Sequence, residues 1–336
     1  MKTILWSSLL ALLFSACASL PQNTHTAFDR IQTGVGPEDM VLDTLTLPLT
    51  RLLVSCNDHR LREKAPLGDI YTVNLHEVKP VGRILPRRNE PDSLSFHPHG
   101  IDLVRQNGKV YLYVVSHDDI KDKHFVLKYE VHASHLDFVA TYEHPFMTSP
   151  NTVVAFRGGG FYVSNDMKKR GGQLAAFLRL KTGSVIYCDE QDGWATVAPK
   201  LSYANGLFIT EKERYLYVST TRQNQLFKYT VLEDRNLINK ERVVKVIGGD
   251  NIRVGNDNEL LIPTHPKVFK FVGHYDDSTK LSPTIVYSVN RTDNKKEVIY
   301  ANDGSQISAA STALYYKGYY YISQVFQPFI LKIKAK

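Results

Sequence analysis

An all-β fold of six four-stranded blades around a central metal-binding channel is what this sequence predicts, on three observations. Strand-forming residues dominate: Tyr occurs 19 times against 2 Trp, and Val, Ile, Thr and Tyr recur in short runs that suit a pleated, half-buried surface better than a helix. The apolar runs follow one another through turns rich in Gly and Asn, with no long helical period and no Pro/Ser-rich linker dividing the chain. A single beat then returns six times: a polar residue opens a strand, a turn follows, and a second apolar strand closes on small or polar residues.

In chain order, Glu38-Asp-Met-Val-Leu42 precedes Arg51-Leu-Leu-Val-Ser55, and His99-Gly-Ile-Asp-Leu103 precedes Val110-Tyr-Leu-Tyr-Val-Val115. Asn151-Thr-Val-Val-Ala-Phe156 leads through three glycines to Phe161-Tyr-Val-Ser-Asn165, and Asn205-Gly-Leu-Phe-Ile209 leads to Tyr215-Leu-Tyr-Val-Ser219 and Gln225-Leu-Phe-Lys-Tyr229. Asn251-Ile-Arg-Val254 is followed by Glu259-Leu-Leu-Ile262 and then Lys267-Val-Phe-Lys-Phe271, read as a third strand. Gln306-Ile-Ser308 is followed by Tyr319-Tyr-Tyr-Ile-Ser323. The starts lie 46 to 61 residues apart, an interval that fits propeller blades; seven blades or a stacked sandwich are the alternatives.

Composition narrows the class further. At 43% apolar and 22% charged the chain can bury a full core. Its excess of basic residues, 41 Lys+Arg against 34 Asp+Glu for a formal charge of +7, is scattered and forms no stripe for nucleic acid. Met1 to Ala16 combines an early Lys2, an apolar run from Ile4 to Phe14 and two small residues, the physics of a signal peptide, since the run is too short to cross a bilayer of about 30 Å. Phe14-Ser15-Ala16-Cys17 resembles a bacterial lipobox, which implies lipidation of Cys17 and a membrane-anchored protein of the cell envelope. The expected domains are therefore the leader 1–16, a tether 17–30 and a propeller 31–336. Cys56 and Cys188, the two cysteines left, stand alone in sequence and read as buried thiols.

In a propeller the innermost strand of every blade begins at one mouth of the channel, so residues far apart in sequence meet there. That ring collects Glu38, His99, Asn151, Asn205, Asp250 and Asn251. Two carboxylates with several amide oxygens are hard oxygen donors, the set Ca²⁺ prefers; zinc would ask for more His or Cys and magnesium for more water. No Gly-x-Ser-x-Gly elbow, phosphate loop or dinucleotide fingerprint occurs in the chain.

The ordered strings Gly36-Pro-Glu-Asp39, Ser95-Phe-His-Pro-His-Gly-Ile101, Tyr113-Val-Val-Ser-His-Asp118, Pro150-Asn-Thr-Val-Val-Ala155, Ala204-Asn-Gly206 and Gly249-Asp-Asn-Ile252 resemble the serum paraoxonase/arylesterase family, within the wider gluconolactonase-like six-bladed propellers. The resemblance implies a catalytic calcium on Glu38, Asn151, Asn205, Asp250 and Asn251, a histidine pair at His99 and His117, and His265 on the wall of the substrate pocket. It also implies a second, structural calcium on Asp39 and the Ile101 carbonyl, although Thr152 stands where the family has Asp. The family ties its chain ends with a disulfide; with no cysteine near the C-terminus, strand pairing is expected to close this ring. The activity implied is calcium-dependent hydrolysis of small carboxylic esters or lactones, with His99 or Glu38 activating water. A sugar-lactone hydrolase of the gluconolactonase branch and a non-catalytic, envelope-anchored binding propeller are the competing readings. Five further histidines, His97, His124, His132, His135 and His144, read as surface residues.

Overall fold

Apolar alternation between tight turns builds six antiparallel sheets, five of them four-stranded, as seen in a computed structural model that describes residues 21–61, 66–169, 178–189, 193–256 and 258–335. The leader and Cys17 lie outside these residues. Blade 1 comprises Pro37–Asp43, Arg51–Cys56, Asp69–Asn74 and Gly82–Ile84. Blade 2 comprises Pro98–Gln106, Lys109–Asp118, Lys123–Val131 and Leu136–Tyr142, with the two-residue strand Arg87–Arg88 added in parallel at its outer edge. Blade 3 is Pro150–Ala155, Phe161–Asn165, Gly183–Asp189 and Gly193–Leu201, and blade 4 is Ala204–Ile209, Tyr215–Thr220, Gln225–Val231 and Leu237–Lys245. Blade 5 is Arg253–Val254, Glu259–Thr264, Thr284–Asn290 and Lys296–Asn302.

Blade 6 takes three strands from the end of the chain, Ala310–Tyr316, Tyr319–Gln324 and Phe329–Lys334, and its fourth, Asp29–Gln32, from the beginning. That antiparallel pairing is the expected closure. The segment before it is also docked: Thr24 N donates to the Ala301 carbonyl at 3.0 Å and Gln306 Nε2 to the His25 carbonyl at 2.6 Å. The expected tether thus runs along blades 5 and 6 from Thr24 onward.

Burial falls from the channel outward: every residue of Pro150–Ala155 is buried, while Leu237–Lys245 at the rim of blade 4 is largely exposed. The core lies between neighbouring sheets. Leu53 and Ile70 of blade 1 pack on Ile101, Leu112 and Val114 of blade 2, and Met40 and Leu52 pack on Leu314, Tyr321 and Ile330 of blade 6. Each such side chain contributes about 1.5–3 kcal/mol when fully buried, so stability is spread over the joints between blades. Cys56 and Cys188 are both buried thiols, as read, and burial pushes the Cys56 thiol up.

Two sequence expectations give way. Lys267–Phe271 is not the third strand of blade 5. Val268–Asp276 forms a helix, α1, and the strand is Thr284–Asn290. Pro266 sits just before the helix, where a missing N–H is harmless, and Phe271 lies on the His265 ring at 4.3 Å and the Phe326 ring at 5.9 Å. Two turns are too short to declare a period in sequence. Gln306 does not open blade 6 either. Its carboxamide accepts from the buried Tyr300 hydroxyl at 2.9 Å, and the strand begins at Ala310.

Candidate active site

The ring is made by a repeated backbone irregularity. In five blades the register of the first two strands shifts at the opening of the inner one: between Pro37 and Asp39, Pro98 and Ile101, Pro150 and Val153, Ala204 and Leu207, and Ala310 and Ala313. A β-bulge sets two residues against one and re-aims a side chain, which is why bulges gather at barrel rims. The residues re-aimed here include Glu38, His99, Asn151 and Asn205.

Serines hold the bulges. Ser164 Oγ accepts from Thr152 N at 3.1 Å within blade 3 and donates to the Asn205 carbonyl of blade 4 at 2.6 Å. Ser219 does the same between Gly206 N, at 3.0 Å, and the Asp250 carbonyl. Ser55 links Asp39 N to the His99 carbonyl, and Ser323 links Thr312 N to the Glu38 carbonyl. One hydroxyl therefore pins a bulge and positions the ring residue of the next blade. Glycine at 100 and 206 is steric: a Cβ at Gly100 would lie 2.4 Å from the Asn151 carbonyl oxygen, and one at Gly206 would lie 2.5 Å from that of Asp250.

Glu38, His99, Asn151, Asn205, Asp250 and Asn251 are all buried at the mouth. Glu38 Oε1 lies 3.1 Å from His99 Nε2 and its Oε2 lies 2.9 Å from His59 Nε2. The three ligand atoms of Glu38, His59 and His99 fall within 4.8 Å of one another. Burial first, and then the nearby Glu38 charge, hold the Asp250 carboxyl above the usual carboxylate range, against the pull of His265. Thr152 Oγ1 bridges the amide oxygens of Asn251, at 2.7 Å, and Asn151, at 3.2 Å. Asn205 Nδ2 donates to Thr221 Oγ1 at 3.2 Å, while its buried Oδ1 accepts from no group among the described residues. Two buried carboxylates in electrostatic reach of each other, with an amide oxygen lacking a donor beside them, form a set that fits a hard divalent cation.

His117 meets His99 edge-on, ring centres 5.2 Å apart, on the adjacent strand of blade 2. His265 is more than a wall residue: its Nε2 lies 2.9 Å from Asp250 Oδ2. Asp39 and Ile101, expected to hold a second ion, are both engaged by the Arg253 guanidinium.

Two histidines of the site escaped the sequence reading. His59 follows the second strand of blade 1 in a loop with no periodic signal. His124, read as a surface residue, is buried, with its Nδ1 3.1 Å from that of His117. Its signal was available: the tight hairpin that pairs Asp118 with Lys123 puts His124 opposite His117. The rings of His59, His99, His117 and His124 thus form a row with successive centre separations of 5.4, 5.2 and 5.1 Å. It ends at a groove of about 870 Å³ whose wall includes His124, Glu143, His144, Met147, Met167 and Lys168. His97, His132, His135 and His144 are half-buried.

Arg60 and α1 border the same mouth. Arg60 Nη2 donates to the His274 carbonyl at 2.8 Å, its Nε donates to that of Tyr275 at 3.2 Å, and its guanidinium lies 4.1 Å from the centre of the Phe326 ring.

Fold and site together define a six-bladed propeller with an acidic, histidine-bordered ring at one channel mouth. The family profile described as arylesterase matches residues 61–330, most of the chain. The chain belongs to the arylesterase family. It is 28% identical over 259 residues to serum paraoxonase/arylesterase 2 of Homo sapiens, covering 75% of this chain and 72% of that one. It is 25% identical over 265 residues to serum paraoxonase/lactonase 3 of Oryctolagus cuniculus, covering 77% and 75%. Among solved structures it is similar to regucalcin, a calcium-binding protein of Agrobacterium tumefaciens, at TM-score 0.57 and 11% identity over 92% of this chain and 94% of that one. A gluconolactonase of Xanthomonas campestris matches at TM-score 0.52 and 15% identity, over 94% and 100%. At these identities the structural matches establish the fold alone.

Proposed function

We propose that this protein hydrolyses small carboxylic esters and lactones at the mouth ring, with Ca²⁺ as cofactor held by Glu38, Asn151, Asn205, Asp250 and Asn251. The observation that carries the reading is the donor set itself: buried Glu38 and Asp250 in electrostatic reach, beside the Asn205 oxygen, which accepts from no donor among the described residues. Membership of a family whose relatives bear the names arylesterase and lactonase supports the reaction class. A calcium ion bound there supplies a fixed positive charge for the oxyanion that grows as a carbonyl is attacked.

The chain's own groups do the rest. His99 accepts a proton from the attacking water, and the Glu38 carboxylate 3.1 Å from its Nε2 stabilises the imidazolium that results. His117, fixed by His124, packs the His99 ring into one orientation. His265 orients Asp250. Glu38 is the rival base, and the histidine pair separates the reading from sugar-lactone hydrolases of the gluconolactonase branch.

The test is hydrolysis of phenyl acetate and of aliphatic, acyl-homoserine and sugar lactones, before and after chelation and calcium repletion. Turnover lost on chelation and restored by calcium is expected; no metal-dependent turnover on any substrate would leave only the non-catalytic propeller. His99→Gln then separates the bases, since unchanged turnover assigns the proton to Glu38. We propose in addition that the chain is exported and anchored in the bacterial envelope through Cys17, which predicts lipid labelling that Cys17→Ala abolishes.

A further inference from the structure

One step beyond the ring along the inner strands, the channel holds a second acidic centre. Asp39 is fully buried and its carboxylate is saturated. Oδ1 accepts from Met40 N at 2.8 Å and from Thr312 Oγ1 at 2.9 Å; Oδ2 accepts from Ile101 N at 2.9 Å and from Arg253 Nη2 at 2.5 Å. A carboxylate offers about four lone-pair sites, and all are used. Arg253, from the inner strand of blade 5, also donates from Nη2 to the Ile101 carbonyl at 2.7 Å and from Nε to the Met40 carbonyl at 2.9 Å. Asp102 lies within reach of the same positive charge. The guanidinium thus joins blades 1, 2 and 5 across the channel.

An oxygen-liganded cation would sit about 2.3–2.6 Å from such oxygens. A nitrogen of Arg253 already stands 2.5 Å from Asp39 Oδ2 and 2.7 Å from the Ile101 oxygen, where both can be reached at once. Ion and guanidinium exclude each other by volume and by charge. A guanidinium is charged at every working pH and carries its donors in a rigid fork, so it serves as a permanent ion. Thr152 adds no carboxylate here; its hydroxyl serves Asn151 and Asn251.

We propose that Arg253 is an internal cation standing where the family resemblance places a structural calcium, so that the channel floor is closed without metal and holds no second ion. Asp39 and the Ile101 carbonyl, which the family resemblance assigns to a second calcium, are on this account ligands of the arginine. The claim goes beyond the ring reading and does not depend on it, because it concerns a difference of one ion between two forms of the protein.

The test is the calcium-to-protein ratio of chelator-stripped, calcium-dialysed protein for wild type, Arg253→Ala and Arg253→Ala/Thr152→Asp. Calcium is the probe because the His132, His135 and Asp137 cluster on the blade 2 hairpin offers imidazole, which suits softer metals. Either variant should hold one ion more than wild type, and its melting temperature should fall in chelator and recover in millimolar calcium while that of wild type responds only through the ring. Equal ratios in wild type and both variants would overturn the proposal. If neither variant folds, wild type decides: two ions per chain overturn it, and one or none accords with it. A wild-type ratio of none with a gain of one in a variant would refute the ring reading and leave the internal cation standing.

Discussion

Ser164→Ala tests whether the bulge clasp holds the site. Ser164 is fully buried, and its hydroxyl accepts from Thr152 N and donates to the Asn205 carbonyl. Removing it takes that partner from two buried backbone groups, a loss of about 1–3 kcal/mol at each, so a total near 3 kcal/mol is the low-to-middle expectation. Unfolding entropy is about 2.1 cal/mol/K per residue, so the roughly 300 residues of the closed ring give about 0.6 kcal/mol/K and a fall in Tm of about 5 °C. Scanning calorimetry with calcium present reads it, with Ser134→Ala on the exposed hairpin tip as the control that stays put. Because the same hydroxyl fixes the Asn205 carbonyl, calcium affinity should fall as well. A variant melting within about 1 °C of wild type would show that the bulge is set by strand pairing alone.

Gly206→Ala places a methyl 2.5 Å from the Asp250 carbonyl oxygen and 2.7 Å from Asn251 Cα, so blades 4 and 5 must part; the expected outcome is soluble protein with no measurable calcium binding, or none soluble, checked by titration calorimetry. His265→Ala removes the partner of Asp250 Oδ2 without touching a ring ligand, and calcium affinity should drop about 10–100-fold, as for other residues that orient a metal ligand; an unchanged isotherm refutes the role. His274 on α1 is held below the ordinary imidazole value, first by burial and then, among other influences, by Arg60. The unfolded chain therefore takes up this proton first as pH falls below about 6.5, and stability is lost there. His274→Asn should flatten the decline in Tm between neutral and mildly acidic pH, and an unaltered decline assigns it to other groups.

The blades were legible in the sequence because each inner strand announces itself twice, by a polar opening residue and by the apolar strand that follows. Glu38, His99, Asn151 and Asn205 open their blades as that beat implies, each on a bulge that only the strand register reveals. Gln306 was misplaced because the true opening of blade 6, Ser311-Thr312, carries no ligand-like side chain, and a search for ligands drifts to the nearest amide. Phe271 was misread because Val-Phe-Lys-Phe alternates like a strand while also fitting two helical turns; packing on His265 and Phe326 decides it. His59 and Arg253 were invisible for another reason. Their roles arise from contacts between blades, Arg253 with Asp39 across 214 residues, and no local pattern records a contact of that span.

The bulge explains how one scaffold hosts such different residues around its rim. The backbone at each opening is held from behind, by Ser55, Ser164, Ser219 and Ser323, and these hydroxyls bond to carbonyls, which every residue has. The side chain in front is thereby free of structural duty. Glu38 can face the mouth as a carboxylate, His99 as an imidazole and Asn205 as an amide with an open oxygen, at one backbone geometry. Selection for chemistry can alter the front of the bulge while the serine keeps its place. On this logic, exchanging His99 for Gln should leave the melting temperature nearly unchanged even as turnover falls, whereas Ser55→Ala, which strands the His99 carbonyl, should lower both.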